Sequence, residues 1–166
     1  MIEVFHKAFS DRLARAKRHK ESGQRIIGWM CIYTPEELLH AGDFYPFRIL
    51  GNPGKTLQAD AYFPSNMCSF ARNCLEGVFD GTYDFLDGFV ASNNCDHIRR
   101  FFDICYLYRD LPFMEILNVP NIVSPEAEGY FIQQLRDFKA SLEEKFNLLK
   151  ISDESIKESI RLFNRM

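Results

Sequence analysis

Val4, Phe5, Ala8, Phe9, Leu13 and Ala16 recur at spacings of three and four and predict a helix over residues 3–22. Lys17, Arg18, His19 and Lys20 suit its C-terminal end, and Gly23 closes it. The period then changes. Residues 25–32 form an apolar run too short for a helix and rich in strand formers, the pattern of a strand buried on both faces. Thr34, Pro35 and Glu37 predict an abrupt helix start, with Thr34 as cap, Pro35 in the first helical position and Glu37 completing a capping box.

The alternation continues along the chain. Residues 47–50 predict a second strand, followed by a turn through Gly51, Asn52, Pro53 and Gly54. A helix over about residues 66–79, a strand over 87–92, a helix over 96–108 and a fourth strand over 113–119, ended by Pro120, come next. Strands interleaved with helices define an α/β class: a Rossmann-like open parallel sheet of about four strands with helices on both faces, plus N- and C-terminal helices. Ligands of such sheets bind beyond the carboxyl ends of the strands. The tail predicts a long helix over residues 126–149 and another opened by Ser152, Asp153, Glu154 and Ser155, carrying Ile156, Ile160 and Phe163. That helix reaches Met166 with no Gly, Pro or polar segment to finish it. The expected organisation is a Rossmann-like domain over 1–150 and, over 151–166, the start of a linker helix towards a second domain outside this chain.

The chain has 166 residues, 46% hydrophobic and 26% charged, which places it among ordinary globular domains. With a net charge of -3 and Lys and Arg spread over both halves, it has no basic stripe, so a nucleic-acid partner is not expected. It has no apolar run of membrane-spanning length and no signal-peptide pattern, so no membrane is expected and the location is read as cytoplasmic.

Five cysteines, an odd number without framework spacing, argue against a disulfide-stapled fold. Cys68 falls at the start of a predicted helix, and Cys95 follows the third strand in Asn93-Asn94-Cys95-Asp96-His97. Both therefore lie on the rim where an open sheet places its ligand, at or near helix N-termini whose partial positive charge stabilises thiolate. That chemistry suits a metal cluster, and the flanking asparagines and backbone amides are able to donate to cluster sulfur. The same positions also suit small, inert buried residues. Cys31, Cys74 and Cys105 have apolar surroundings and read as core. The sequence contains no C-x-x-C, which disfavours a structural zinc site. His97, beside Cys95, suits orienting a ligand or acid-base work and equally a first-turn cap, and reads slightly better as the cap. Gly51 to Thr56 resembles the end of a phosphate loop, but Ile49 stands where its first glycine is required.

Four segments taken together resemble one family, the 2-hydroxyacyl-CoA dehydratase and benzoyl-CoA reductase subunits. They are Gly28-Trp29-Met30-Cys31-Ile32-Tyr33-Thr34-Pro35-Glu36-Glu37-Leu38, Ala59-Asp60-Ala61-Tyr62-Phe63-Pro64-Ser65-Asn66-Met67-Cys68, Leu86-Asp87-Gly88-Phe89-Val90 through Asn94-Cys95-Asp96-His97-Ile98-Arg99-Arg100, and Leu117-Asn118-Val119-Pro120. The resemblance covers nearly the whole chain and corresponds to the N-terminal half of the family pattern. It implies a 4Fe-4S cluster held through three cysteines, of which Cys68 and Cys95 match the first two; the third belongs to the second half of the pattern. It further implies an acyl-CoA substrate, a homologous second subunit, and an ATP-dependent iron-sulfur activator. The activator's low-potential electron reduces a thioester carbonyl to a ketyl radical, leading to dehydration or ring reduction. Tyr33 and Thr34, and Glu36 or Glu37, would face the substrate pocket, with Tyr33, Thr34 and Glu37 carried forward as substrate-binding residues. The isolated chain is expected to be inactive, because the third ligand is absent from the matching segments. Two other readings remain open on the residues alone: a non-catalytic electron-transfer or assembly member, and a metal-free Rossmann-like module for a small ligand.

Overall fold

A computed structural model describes residues 2–52, 54–148 and 150–165. The helices are α1 (Ile2–Ser10), α2 (Arg12–Glu21), α3 (Glu36–Ala41), α4 (Ser69–Phe79), α5 (Asp96–Tyr108), α6 (Pro125–Lys145) and α7 (Asp153–Phe163). The strands are β1 (Ile26–Trp29), β2 (Tyr45–Arg48), β3 (Gly88–Ser92) and β4 (Phe113–Leu117), all parallel in the order β2-β1-β3-β4. This is the Rossmann-like open parallel sheet expected from the alternating pattern. No helix among the described residues is long and apolar enough to cross a membrane.

The order of strands dictates the layers. From β1 the chain moves outward to β2 through α3, then crosses back over β1 to β3 through α4. Because parallel crossovers are right-handed, opposite directions of travel put the helices on opposite faces. One core accordingly packs Ile26, Met30, Phe89 and Ala91 of the sheet against Ala16, Leu75 and Phe101 from α2, α4 and α5. The other packs Ile27, Trp29, Val90 and Leu117 against Leu39, Phe138, Leu142 and Ile151, from α3, α6 and the approach to α7. α7 is held on α3 by a 3.0 Å hydrogen bond between His40 Nδ1 and the buried Ser159 Oγ.

Several local expectations are corrected. The single helix over 3–22 is broken at Asp11, where Ser10 Oγ donates to the His6 carbonyl and Arg12 to the Phe9 carbonyl, drawing both carbonyls into local side-chain bonds. Its apolar face meets the core only from Leu13, partly buried against it, and Ala16, fully buried, while Val4 and Phe5 are exposed. β1 ends at Trp29 rather than Ile32. Thr34 does not cap α3: its hydroxyl donates back to the Met30 carbonyl at 2.9 Å, and Pro35 occupies the cap without a side-chain bond. β2 begins at Tyr45 and contains Pro46, which is tolerated because β2 is an edge strand. α4 begins at Ser69, three residues after its expected start, because Cys68 adopts extended backbone as its N-cap. β4 ends at Leu117, two residues early. Pro53 of the predicted turn and Leu149 at the predicted end of the long helix lie outside the described residues.

Candidate functional site

The reversal between β1 and β3 makes their carboxyl ends the topological switch point, where an open α/β sheet leaves a crevice. The segments leaving these two strands, together with the one leaving β4, line a cleft of about 750 Å³. Tyr33 comes from the β1 exit, Asn93 and Asn94 from the β3 exit, Asn118 and Asn121 from the β4 exit, and Tyr130 from α6.

Asn93 is the pin of this rim. Val119 N–H donates to its Oδ1 at 2.9 Å, so its amide nitrogen must face Asn118, whose Oδ1 accepts at 3.1 Å. Asn118 therefore keeps its own NH2 for other partners. Arg99, also on the wall, is paired with Asp96 and holds that carboxyl below its ordinary pKa. Among the described residues the wall thus offers phenol and amide groups and the Arg99 guanidinium, and carries neither a carboxylate nor a histidine.

Both cysteines expected at the site are helix N-caps. Cys68 opens α4, is exposed, and its Sγ accepts the Ala71 N–H at 3.4 Å. Cys95 opens α5 and is partly buried, with no side-chain cap bond. α4 and α5 pack against one another, and His97 Nδ1 sits 3.2 Å from Met67 Sδ, joining the residues that flank the two cysteines. His97 is therefore turned to Met67 rather than to its own helix start. Among the described residues, no three His, Cys, Asp or Glu side chains are grouped to share a metal ion.

Cys74 and Cys105 are buried as expected, and burial pushes both thiols up, Cys74 to about 12. Cys31 is not a core residue. It leaves β1 with φ +76°, in the left-handed region, and stands partly exposed at the switch point. Burial opposes its thiolate, but hydrogen bonds with Ser92, the Tyr33 backbone, Asn94 and the Ile32 backbone outweigh it and lower its pKa. Its apolar sequence neighbours concealed this, since the break falls after a strand of only four residues.

Of the other expected residues, Tyr33 lines the cleft, while Thr34 is 4% exposed with its hydroxyl committed to Met30. Glu36 and Glu37 occupy the first turn of α3. Burial, then Glu37, raise the Glu36 pKa against the pull of Arg48. Asn118, Asn121 and Tyr130 were not singled out from the sequence; the signal available for the first two was a pair of asparagines flanking Val119-Pro120 directly after a strand.

Fold and site together define an open parallel α/β domain with a switch-point cleft and two cysteine-capped helix starts, the one at Cys95 directly following Asn94 of the cleft wall. Residues 31–166 match the 2-hydroxyglutaryl-CoA dehydratase D-component family, and the chain belongs to that family. It is 30% identical over 170 residues to the (R)-phenyllactyl-CoA dehydratase beta subunit of Clostridium sporogenes, covering 98% of this chain and 45% of that protein. It is 25% identical over 165 residues to a benzoyl-CoA reductase subunit of Thauera aromatica, covering 98% and 42%. With the (R)-2-hydroxyglutaryl-CoA dehydratase beta subunit of Acidaminococcus fermentans it shares 34% over 100 residues, 60% of this chain and 26% of that one. The chain spans less than half the length of these relatives.

Proposed function

We propose that the chain is a subunit, or the N-terminal part of a subunit, of an iron-sulfur 2-hydroxyacyl-CoA dehydratase or benzoyl-CoA reductase-type enzyme acting on CoA thioesters by ketyl-radical chemistry. The observation that carries this reading is that Cys68 and Cys95 are the N-caps of two helices packed on one another, Cys95 directly following Asn94 of the switch-point cleft. The donor set fits two of the thiolate ligands of a 4Fe-4S cluster, with further coordination coming from outside the described residues. When bound, the cluster supplies a low-potential electron and an iron with an open position for a substrate oxygen.

The chain's own residues hold and orient. α4 and α5 present their N-termini, the positive ends of their macrodipoles, at Cys68 and Cys95, which suits an anionic cluster. Tyr33, Thr34 and Glu37 are the proposed substrate-side residues: Tyr33 lines the cleft, Thr34 locks the turn behind it, and Glu37 stands in the first turn of α3. The free amide of Asn118 and the Tyr130 hydroxyl add donors suited to carbonyl oxygens of an acyl thioester. A homologous second subunit would cover the open cleft, with an ATP-dependent iron-sulfur activator as electron source, in the cytoplasm. In this reading 1–150 is the cluster-binding unit and 151–166 begins a linker helix.

A second reading is a non-catalytic electron-transfer member: among the described residues the cleft wall offers the Tyr33 and Tyr130 phenols, and neither a carboxylate nor a histidine, as proton-transfer groups. Iron and acid-labile sulfide per chain after anaerobic reconstitution test what the two readings share. The expected result is binding by the parent and by Cys74→Ala, and its loss in Cys68→Ala and Cys95→Ala; a parent that binds nothing sinks the cluster. Turnover of a CoA thioester with partner subunit, activator and ATP then separates the two readings.

A further inference from the structure

The 3.2 Å contact between His97 Nδ1 and Met67 Sδ connects two otherwise separate helix starts. Met67 immediately precedes Cys68, the cap of α4, and His97 is the second residue of α5 after its cap, Cys95. Among the described residues it is the only side-chain hydrogen bond between these two helix starts.

Each partner is itself anchored. The Met67 amide donates to the Pro64 carbonyl at 3.1 Å, and its own carbonyl accepts from Arg72 Nε at 3.3 Å. Arg72 also donates to Pro64 at 2.9 Å and pairs with Asp60, so the segment leading into Cys68 is tied to the helix it opens. On the other side His97 is partly buried, in a helix that places Phe101 in the core one turn later. A thioether is a weak acceptor, so the contact adds modestly to the packing of α4 on α5, and its effect is on where the two helix starts sit. An imidazole N–H at Nδ1 meeting that sulfur fixes the ring, and with it the separation of the two caps.

We propose that His97 and Met67 are positioning residues, a clasp that holds the Cys68 and Cys95 thiols at the spacing at which both serve one bound cluster. This rests on the reading of the two cysteines as ligands. The clasp acts through the helix starts and touches no ligand itself. Met67→Leu keeps the volume and removes the acceptor; His97→Leu removes the donor; His97→Asn puts an amide nitrogen near the position of Nδ1.

Two measurements on the whole chain test it. In the metal-free protein, the rate at which a short bifunctional thiol reagent bridges Cys68 to Cys95 is followed by peptide mapping, with single alkylation of each thiol as the internal reference. Bridging is expected to fall about three- to tenfold in both Leu variants, with single alkylation unchanged and His97→Asn close to parent, because bridging reads effective concentration. In the reconstituted protein, the Leu variants are expected to lose iron to a chelator about tenfold faster than parent and His97→Asn. Equal bridging in parent and both Leu variants overturns the clasp, as does equal iron retention where the parent binds iron. A parent that binds no iron but shows clasp-dependent bridging removes the cluster and keeps the clasp's control of spacing. If Met67→Leu fails to fold, the His97→Leu and His97→Asn pair carries the comparison.

Discussion

Cys31 stands beside Ser92 at the carboxyl end of the β1–β3 pair. Beyond the last paired residues, Trp29 and Val90, the Met30 N–H still donates to the Val90 carbonyl at 3.1 Å and the chain turns at Cys31, while Ser92, fully buried, donates through its hydroxyl to Asn94 Oδ1 at 2.5 Å. The thiol therefore shares a hydrogen-bonded corner with the turn that carries Cys95.

That corner favours the thiolate of Cys31. Despite burial, hydrogen bonds with Ser92, the Tyr33 backbone, Asn94 and the Ile32 backbone lower its pKa, whereas burial raises those of Cys74 and Cys105. Alkylation of the metal-free chain at neutral pH is expected to mark Cys31 well before those two, with an inflection below the ordinary thiol pKa. Ser92→Ala and Asn94→Ala should move the inflection upward. An inflection at or above the ordinary value in the parent would refute the account.

Asn93 closes the neighbouring corner and should carry a measurable part of the stability. Asn93→Ala removes the bonds to Val119 and Asn118 and leaves the Val119 N–H without its acceptor, at a cost of about 1–3 kcal/mol. The urea midpoint gives the cost, and hydrogen exchange at Val119 shows whether the loss is local. An unchanged midpoint together with an unchanged Val119 amide would mean that the pin is dispensable.

Glu36 gives a pH signature whose sign is fixed. Its folded pKa is raised, chiefly by burial and then by Glu37, so the folded state binds its proton more tightly than the unfolded state. Stability is lost as pH rises from the unfolded to the folded pKa, and the penalty persists at neutral pH. Glu36→Gln is therefore expected to raise the thermal midpoint at pH 7 and to leave it near parent below the ordinary carboxylate range. A destabilised variant at pH 7 would assign Glu36 a favourable contact with Arg48 that outweighs its burial.

How far the sequence is legible follows from range. Ile26, Ile27 and Phe89 signal strands because both faces of a parallel sheet are apolar, and Ser152 signals α7 because its hydroxyl accepts the Ser155 N–H within one turn. Cys68 and Cys95 are recognisable as residues at helix starts for the same local reason. Cys31 is not, since its left-handed backbone and its contact with Ser92 depend on a strand far away in the chain. Thr34 illustrates the converse: a hydroxyl suited to capping α3 finds the Met30 carbonyl instead, because the chain turns sharply between them. The clasp of His97 on Met67 is equally non-local, and nothing in either segment announces the other.

Two glycines separate close approach from mere flexibility, and their alanine variants should move stability in opposite directions. Gly51 leaves β2 beneath α4, where an added Cβ would stand 2.4 Å from Asn73 Cβ and 2.9 Å from both the Asn73 carbonyl carbon and the Cys74 nitrogen. Two of these three atoms are helix backbone and cannot rotate away, so Gly51→Ala must displace α4, at a cost of about 1–3 kcal/mol. Because Cys68 caps that helix, the same substitution is expected to slow the bridging of Cys68 to Cys95. Gly129 lies exposed in α6 with nothing within 4 Å of where an alanine methyl would stand, so Gly129→Ala gains helix propensity and is expected to stabilise by about 0.5–1 kcal/mol. Thermal midpoints of the two variants decide the matter: a neutral Gly51→Ala would mean that α4 slides without cost, and the spacing of the two cysteine caps would then be soft rather than fixed.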